Sequence, residues 1–158
     1  MYARDHAVIA TPIGPVRVEG CEDMLVSIRI GEGSLTPGTT SAVRAAVDQL
    51  EQWFAGDRRD FDLPLQPLAT SRGTELRQAM IGIGYGETMS YGELARITGS
   101  SARAIGQICA NNPFPILVPC HRVLAQGGKL GNYSGGDGPK TKSWLLDHER
   151  RFSGRTLL

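Results

Sequence analysis

Along the first third of the chain, apolar and polar residues alternate in short runs. His6-Ala7-Val8-Ile9-Ala10 leads into Thr11-Pro12-Ile13-Gly14-Pro15, whose Pro and Gly residues set a turn, and Val16-Arg17-Val18-Glu19 resumes the alternation. Leu25-Val26-Ser27-Ile28-Arg29-Ile30 repeats it after a polar corner. A period of two predicts a small antiparallel sheet. Gly31 to Thr40, rich in Gly, Ser, Thr and Pro, reads as a loop. From Ser41 the period changes, because Val43, Val47, Leu50 and Phe54 recur at steps of three and four until Gly56 stops the helix. Phe61-Asp62-Leu63-Pro64-Leu65 predicts a short strand, and Pro64, which has no N–H to donate, places it at a sheet edge.

Near Pro67 the pattern becomes helical. Leu76, Met80 and Ile83 mark a helix over 74–83 that ends in the turn Gly84-Tyr85-Gly86. Ser90 with Glu93 three residues on is a capping box for a second helix carrying Leu94, Ala95 and Ile97 and ending at Gly99. A third helix begins at Ser100 or Ser101 and includes Ala104, Ile105 and Ile108. Helix, short Gly-containing turn, helix is the outline of a helix-turn-helix, although many all-α cores share it. A loop and a short apolar segment lead to Pro119-Cys120-His121-Arg122-Val123, and a Gly-rich loop from Gly127 to Gly138 precedes a last helix over 141–150. The expected fold is α/β in the α+β sense. A small N-terminal antiparallel sheet with a helix spans 1–66, and a mostly helical C-terminal domain containing a helix-turn-helix spans 67–158.

Composition narrows the function classes. With 158 residues, 41% hydrophobic and 21% charged, the chain has the makeup of a folded globular protein rather than a disordered one. Its apolar runs, such as Ile116-Leu117-Val118, are far too short to span a membrane, and an N-terminus bearing Asp5 has no signal-peptide pattern. The net charge of +1 hides an asymmetry. Residues 1–66 carry 6 Lys/Arg against 10 Asp/Glu, net −4, and residues 67–158 carry 11 against 6, net +5. A basic second half suits an anionic partner, and ordinary surface charge would look the same. Three cysteines (Cys21, Cys109 and Cys120) are an odd number without close pairing, which points to free thiols in a reducing cytoplasm.

Cys120 is the residue with most chemistry around it. A cysteine acts as a nucleophile through its thiolate, which positive neighbours favour, and here His121 and Arg122 follow directly while Pro113, Pro115 and Pro119 stiffen the approach. Cys109 falls inside a helical apolar pattern and reads as core, and Cys21 lies in a sheet corner with no partner spacing.

Pro119-Cys120-His121-Arg122-Val123, preceded by Pro115-Ile116-Leu117-Val118, resembles the active-site motif of the O6-alkylguanine-DNA alkyltransferases. Gly86 to Ala95 and Ala102-Arg103-Ala104-Ile105-Gly106 are similar to that family's helix-turn-helix, and Asn112-Pro113 to its Asn hinge. Gly131-Asn132-Tyr133-Ser134-Gly135-Gly136 and Trp144-Leu145-Leu146-Asp147-His148-Glu149 follow in the same order, and Thr11-Pro12-Ile13-Gly14-Pro15 resembles its first hairpin. The resemblance thus covers essentially the whole chain and is strongest from Tyr85 to Glu149.

What the resemblance implies is irreversible transfer of an alkyl group from O6 of guanine in double-stranded DNA to Cys120, by a monomer without cofactor. Cys120 is then the acceptor, His121 deprotonates it through a water, Glu149 orients His121, and Asn112 holds the turn. Tyr91 positions the flipped guanine, Arg103 fills the space the base leaves, and Ala102 and Gly106 lie on the DNA-facing helix. Val123 and Ser134 contact the base edge through backbone groups, and Tyr133 forms pocket wall. Some relatives bind zinc near the N-terminus through Cys and His. Cys21 matches one such ligand, but Val26 stands where a His is required, so no zinc is expected. The turn from Gly99 to Arg103 is shorter than the family pattern and the loop Gly136 to Lys142 is longer, which bears on the reach of Arg103 and on the alkyl groups accepted. Taken singly, Glu149 also fits a solvated helix residue, His121 a packed histidine, Tyr91 a core residue and Arg103 a surface one. The competing function is a lesion-binding protein that recruits other repair factors without transfer, against which Cys120 itself argues.

Overall fold

The computed structural model describes residues 4–154. The outer ends of the two expected domains, 1–3 and 155–158, lie outside the described residues. By packing, the chain divides into two compact units, one reaching to Gln66 and the other spanning Pro67–Ser153.

In the first unit the alternating segments form β1 (Asp5–Ile9), β2 (Val16–Gly20) and β3 (Leu25–Ile30), an antiparallel sheet in the order β1-β2-β3. Ala7 pairs with Val18 and Val18 with Ile28, so one face gathers the apolar side chains. Helix α1 (Ser41–Phe54) packs on that face through Ala42, Val43, Ala46, Leu50 and Trp53, all buried. Burying a side chain such as Leu50 contributes roughly 1.5–3 kcal/mol. The Asp5 carboxylate ties the sheet to the start of α1, accepting from the Thr39 and Thr40 N–H groups and the Thr40 hydroxyl, each at 2.8 Å. The expected strand over 61–65 is reduced to a single bridge between Leu65 and Leu25. The Gln49 side chain explains why: its amide donates to the Asp62 carbonyl at 3.0 Å and accepts from the Asp62 N–H at 2.9 Å, occupying the groups a strand ladder would need.

The second unit holds α2 (Ser71–Ile81), β4 (Met89–Ser90), α3 (Tyr91–Thr98), α4 (Ala102–Ala110), β5 (Val123–Leu124) and α5 (Pro139–Ser153). The fold is α+β. Helix α2 starts three residues before the apolar pattern does, because the Thr70 hydroxyl caps it by accepting from the Gly73 N–H at 3.0 Å. Helix α5 starts at Pro139, whose fixed φ and missing N–H suit a first helical position, and runs on to Ser153. Helix α3 opens on the expected capping box: the Ser90 hydroxyl accepts from the Glu93 N–H, and the Glu93 side chain returns to the Ser90 N–H. It closes at Gly99, whose φ of 66° is left-handed and lets the Ser100 N–H reach the Ala95 carbonyl at 2.8 Å. Ser101 caps α4, so the helix-turn-helix forms with Arg103 in the first turn of its second helix. A short parallel pairing of β4 with β5, Met89 beside Val123 and Ser90 beside Leu124, brings the start of this motif against the segment that follows Cys120.

Candidate active site

Cys120 opens a single turn of 3-10 helix, Cys120–Arg122, at the end of a buried stretch in which Phe114, Ile116 and Val118 are almost wholly enclosed. Ile116 has a φ of 77°, in the left-handed region that a β-branched residue rarely enters, and it is the one non-glycine there among the described residues. Asn112 holds this backbone in place. Its amide donates to the Val118 carbonyl at 3.0 Å and to Cys120 Sγ at 3.3 Å, while its oxygen accepts from the Phe114 N–H at 3.0 Å. The Arg77 guanidinium lies 5.3 Å from the Phe114 ring centroid and backs the same stretch.

His121 and Glu149 are fully buried, and His121 Nε2 lies 2.9 Å from Glu149 Oε2. The carboxylate also accepts from Arg122, with Nε 2.9 Å from Oε1 and Nη2 2.7 Å from Oε2. Burial alone would raise the Glu149 carboxyl, but the hydrogen bonds and charges of His121 and Arg122 outweigh it and hold the group down at about 2. Burial, with the charges of Arg122 and Lys142, pushes His121 below the ordinary histidine range despite the pull of Glu149. The resting pair is therefore an ionised glutamate and a neutral imidazole. Burial pushes the Cys120 thiol up, opposed by the Asn112 amide and the Lys142 ammonium, so the thiol rests protonated and needs a base to become a nucleophile.

Above this buried network lies a cleft of about 940 Å³ whose lining includes Tyr91, Ala102, Arg103, Gly106, Cys120, Tyr133 and Ser134. These seven sequence-predicted residues thus share one cavity. Asn112 is tied to the lining through its hydrogen bond to Cys120 Sγ, and His121 and Glu149 are buried outside it. Val123 is buried outside the lining, and its carbonyl accepts from Lys142 Nζ at 2.7 Å. Burial raises the Tyr91 hydroxyl to about 12 and the Tyr133 hydroxyl well above its ordinary value, so both are proton-bearing donors at neutral pH. A side chain added at Gly106 would meet nothing within 4 Å, leaving that face of α4 open for a large partner to approach.

Three residues at the site escape a reading of the sequence. Arg122 reads as a positive neighbour of Cys120, yet its guanidinium turns to Glu149. Lys142 is fully buried, with its ammonium also 3.3 Å from the Asn132 carbonyl and 5.8 Å from the Tyr91 ring centroid. Its signal was periodicity: Lys142 and Glu149 are seven residues apart on the buried face of α5 that carries Leu145 and Leu146. Cys109 is buried as expected of a core residue, but it also lines the cleft, and burial together with the nearby Cys120 raises its thiol to about 12.

Comparison with known proteins bears on the whole chain. Residues 74–151 match the DNA-binding domain of 6-O-methylguanine DNA methyltransferase, and residues 6–67 match its ribonuclease-like domain. The chain is 38% identical to a methylated-DNA--protein-cysteine methyltransferase of Mycobacterium tuberculosis over 96% of this chain and 97% of that one. Identity to the protein of that name from Mus musculus is 34%, covering 91% of this chain and 80% of that one. Among solved structures, Mycobacterium tuberculosis O6-methylguanine methyltransferase superposes with a TM-score of 0.83 at 36% identity, covering 98% of both chains. That organism's OGT in complex with DNA gives a TM-score of 0.81 at 37% identity, covering 93% of both.

Proposed function

The chain belongs to the 6-O-methylguanine DNA methyltransferase family, and from that premise we propose that Cys120 takes the alkyl group directly from O6 of a guanine extruded from duplex DNA. The observation that carries this reading is the Cys120 thiol at the cleft wall with a neutral His121 on its carboxylate just beneath. An O6-alkyl carbon lies within the base stack, so the base leaves the duplex before it can react. Arg103, at the cleft and on the second helix of the helix-turn-helix, fills the space the base vacates, while Ala102 and Gly106 offer a low surface to the DNA backbone. Tyr91 and Tyr133 flank the base, and the Val123 and Ser134 backbone groups read its edge.

His121 Nε2 is engaged by Glu149, so the Cys120 proton is received at Nδ1 through a bridging water. The thiolate attacks the saturated carbon, the C–O6 bond breaks as the S–C bond forms, and the guanine takes a proton from the Tyr91 hydroxyl, which regains one as the His121 imidazolium gives its proton up through water. The Lys142 ammonium lies 5.8 Å from the Tyr91 ring centroid and packs against the ring by cation–π attraction. No cofactor enters this balance. The product is a thioether with no hydrolysis step, so each protein acts once. These residues belong to the domain we place at 67–158, with 1–66 forming the other. The protein works as a monomer, in the reducing cytoplasm that free thiols at Cys21, Cys109 and Cys120 suit. Incubation with excess duplex carrying one O6-methylguanine tests the reading: guanine restored should plateau at one per protein molecule. Continued turnover, or tight lesion binding with no guanine restored, contradicts it, and the second result would favour a lesion-binding role.

A further inference from the structure

Glu149 has more donors than the orientation of a histidine requires. Oε2 faces both His121 Nε2 at 2.9 Å and Arg122 Nη2 at 2.7 Å, and Arg122 Nε reaches both carboxylate oxygens, at 2.9 and 3.1 Å. The Gly86 N–H adds a further donor 3.4 Å from Oε1. The guanidinium is anchored in turn, because Nη1 donates to the Ile83 carbonyl at 2.5 Å and the Tyr85 ring centroid lies 5.8 Å from Cζ. All three charged or titratable side chains are buried.

A buried carboxylate with only a histidine beside it favours the imidazolium, since opposite charges attract strongly away from water. Here a permanent cation occupies the same oxygen. The charges of Arg122 and Glu149 cancel, so His121 faces a dipole rather than a net negative charge. From α5, Lys142 adds a second positive charge to the surroundings of His121. The other titratable groups toward the cleft are the thiols of Cys120 and Cys109 and the hydroxyls of Tyr91 and Tyr133, uncharged at rest, together with the charged side chains of Glu93, Arg96 and Arg103, which are exposed and screened by solvent. Among the described residues, Glu149 is the anion that acts on His121, and Arg122 pairs with it.

We propose that Arg122 is a positioning residue for the transfer reaction: by gripping both oxygens of Glu149 it fixes the carboxylate under His121 and cancels its charge, so that His121 rests as a neutral base instead of a trapped imidazolium. This rests on the reading of Cys120 as acceptor and His121 as its base. His121 is then able to take the Cys120 proton when the extruded guanine arrives.

The test is the pH dependence of single-turnover transfer from an O6-methylguanine duplex for the unsubstituted protein, Arg122→Lys and Arg122→Met. In Arg122→Met the acid limb should move up by about one pH unit or more, so that the loss grows as pH falls and, below the limb, reaches roughly ten times its value at high pH. Arg122→Lys, which keeps the charge, should leave the limb in place and lose rate evenly. An Arg122→Met limb that coincides with that of the unsubstituted protein, with the same loss at every pH, overturns the proposal in favour of simple packing. Should Arg122→Met not fold, nitrogen NMR of labelled histidine decides the matter in the unsubstituted protein and Arg122→Lys, with His121→Gln identifying the signal. His121 should be neutral in both near pH 6, and an imidazolium near neutral pH in either refutes the proposal. The NMR readout needs no transfer. A failure of Cys120 as acceptor would show as absent transfer in the unsubstituted protein, separately from any result on Arg122.

Discussion

Replacing Glu149 by Gln keeps the shape of the side chain and removes one charge from the centre of the site. The Arg122 guanidinium would then be buried without a counter-ion, and breaking one partner out of a buried pair costs on the order of 3–5 kcal/mol. The ionisation of Glu149 gives an independent estimate. Its carboxyl is held at about 2 against an ordinary 4.5, a difference worth about 3 kcal/mol. Because the folded value is depressed, this stability is fully present above pH 4.5 and is lost as pH falls toward about 2. Urea unfolding of both proteins across pH should therefore show Glu149→Gln less stable by about 3 kcal/mol at neutral pH, a large share of the 5–15 kcal/mol typical of a domain. The gap should narrow by about 2 kcal/mol on going to pH 3. A gap below about 1 kcal/mol at neutral pH, the size of an exposed pair, would refute the burial and charge pairing on which the site rests. So would a gap that does not change with pH.

Other perturbations separate the roles of neighbouring residues. Arg103→Ala should slow reaction with O6-methylguanine in duplex DNA by about 1–3 kcal/mol while sparing reaction with free O6-benzylguanine, since only the duplex requires a base to be extruded; equal loss on both substrates would make Arg103 a support of the pocket. Asn112→Ala leaves the Phe114 N–H without its partner and the Val118 carbonyl with the Cys120 N–H as its remaining donor, and it should destabilise the protein by about 1–3 kcal/mol in chemical denaturation, with a lower transfer rate; unchanged stability would show that the turn holds without it. Ser90→Ala removes one half of the capping box and should cost about 1 kcal/mol, read from the unfolding midpoint, and no change there would mean the box adds nothing to α3. Duplex binding should weaken as salt rises, because contacts from the basic second half release counterions; binding that ignores salt would leave that charge unexplained.

Much of this fold is visible in the residues because local rules decide it. The alternation from His6 to Ile30 became three strands in sequence, and Ser90 with Glu93 and Gly99 marked both ends of α3. Where a distant group intervened, the local signal failed. Phe61 to Leu65 has strand character, yet the Gln49 side chain takes the hydrogen bonds of Asp62. At the site, Cys120, His121 and Arg122 are adjacent and announce their chemistry, whereas Glu149 looks like any exposed helix residue until α5 brings it against His121 at 2.9 Å. Arg122 reads as a positive neighbour of Cys120, yet packing buries it against Glu149, and Lys142 shows its burial only through its place on the face of α5 that carries Leu145 and Glu149. The left-handed backbone of Ile116 has no counterpart in any hydrophobic pattern, since it follows from how the buried turn before Cys120 must bend.

The central claim is that one thiol, Cys120, receives the alkyl group. Peptide mass mapping after reaction with an O6-methylguanine duplex tests it directly, alongside Cys120→Ala. One added methylene should appear on the peptide containing Cys120 and nowhere else, and Cys120→Ala should bind the duplex with no mass gain. A methyl group found on Cys109 or Cys21, or transfer surviving in Cys120→Ala, would contradict the assignment.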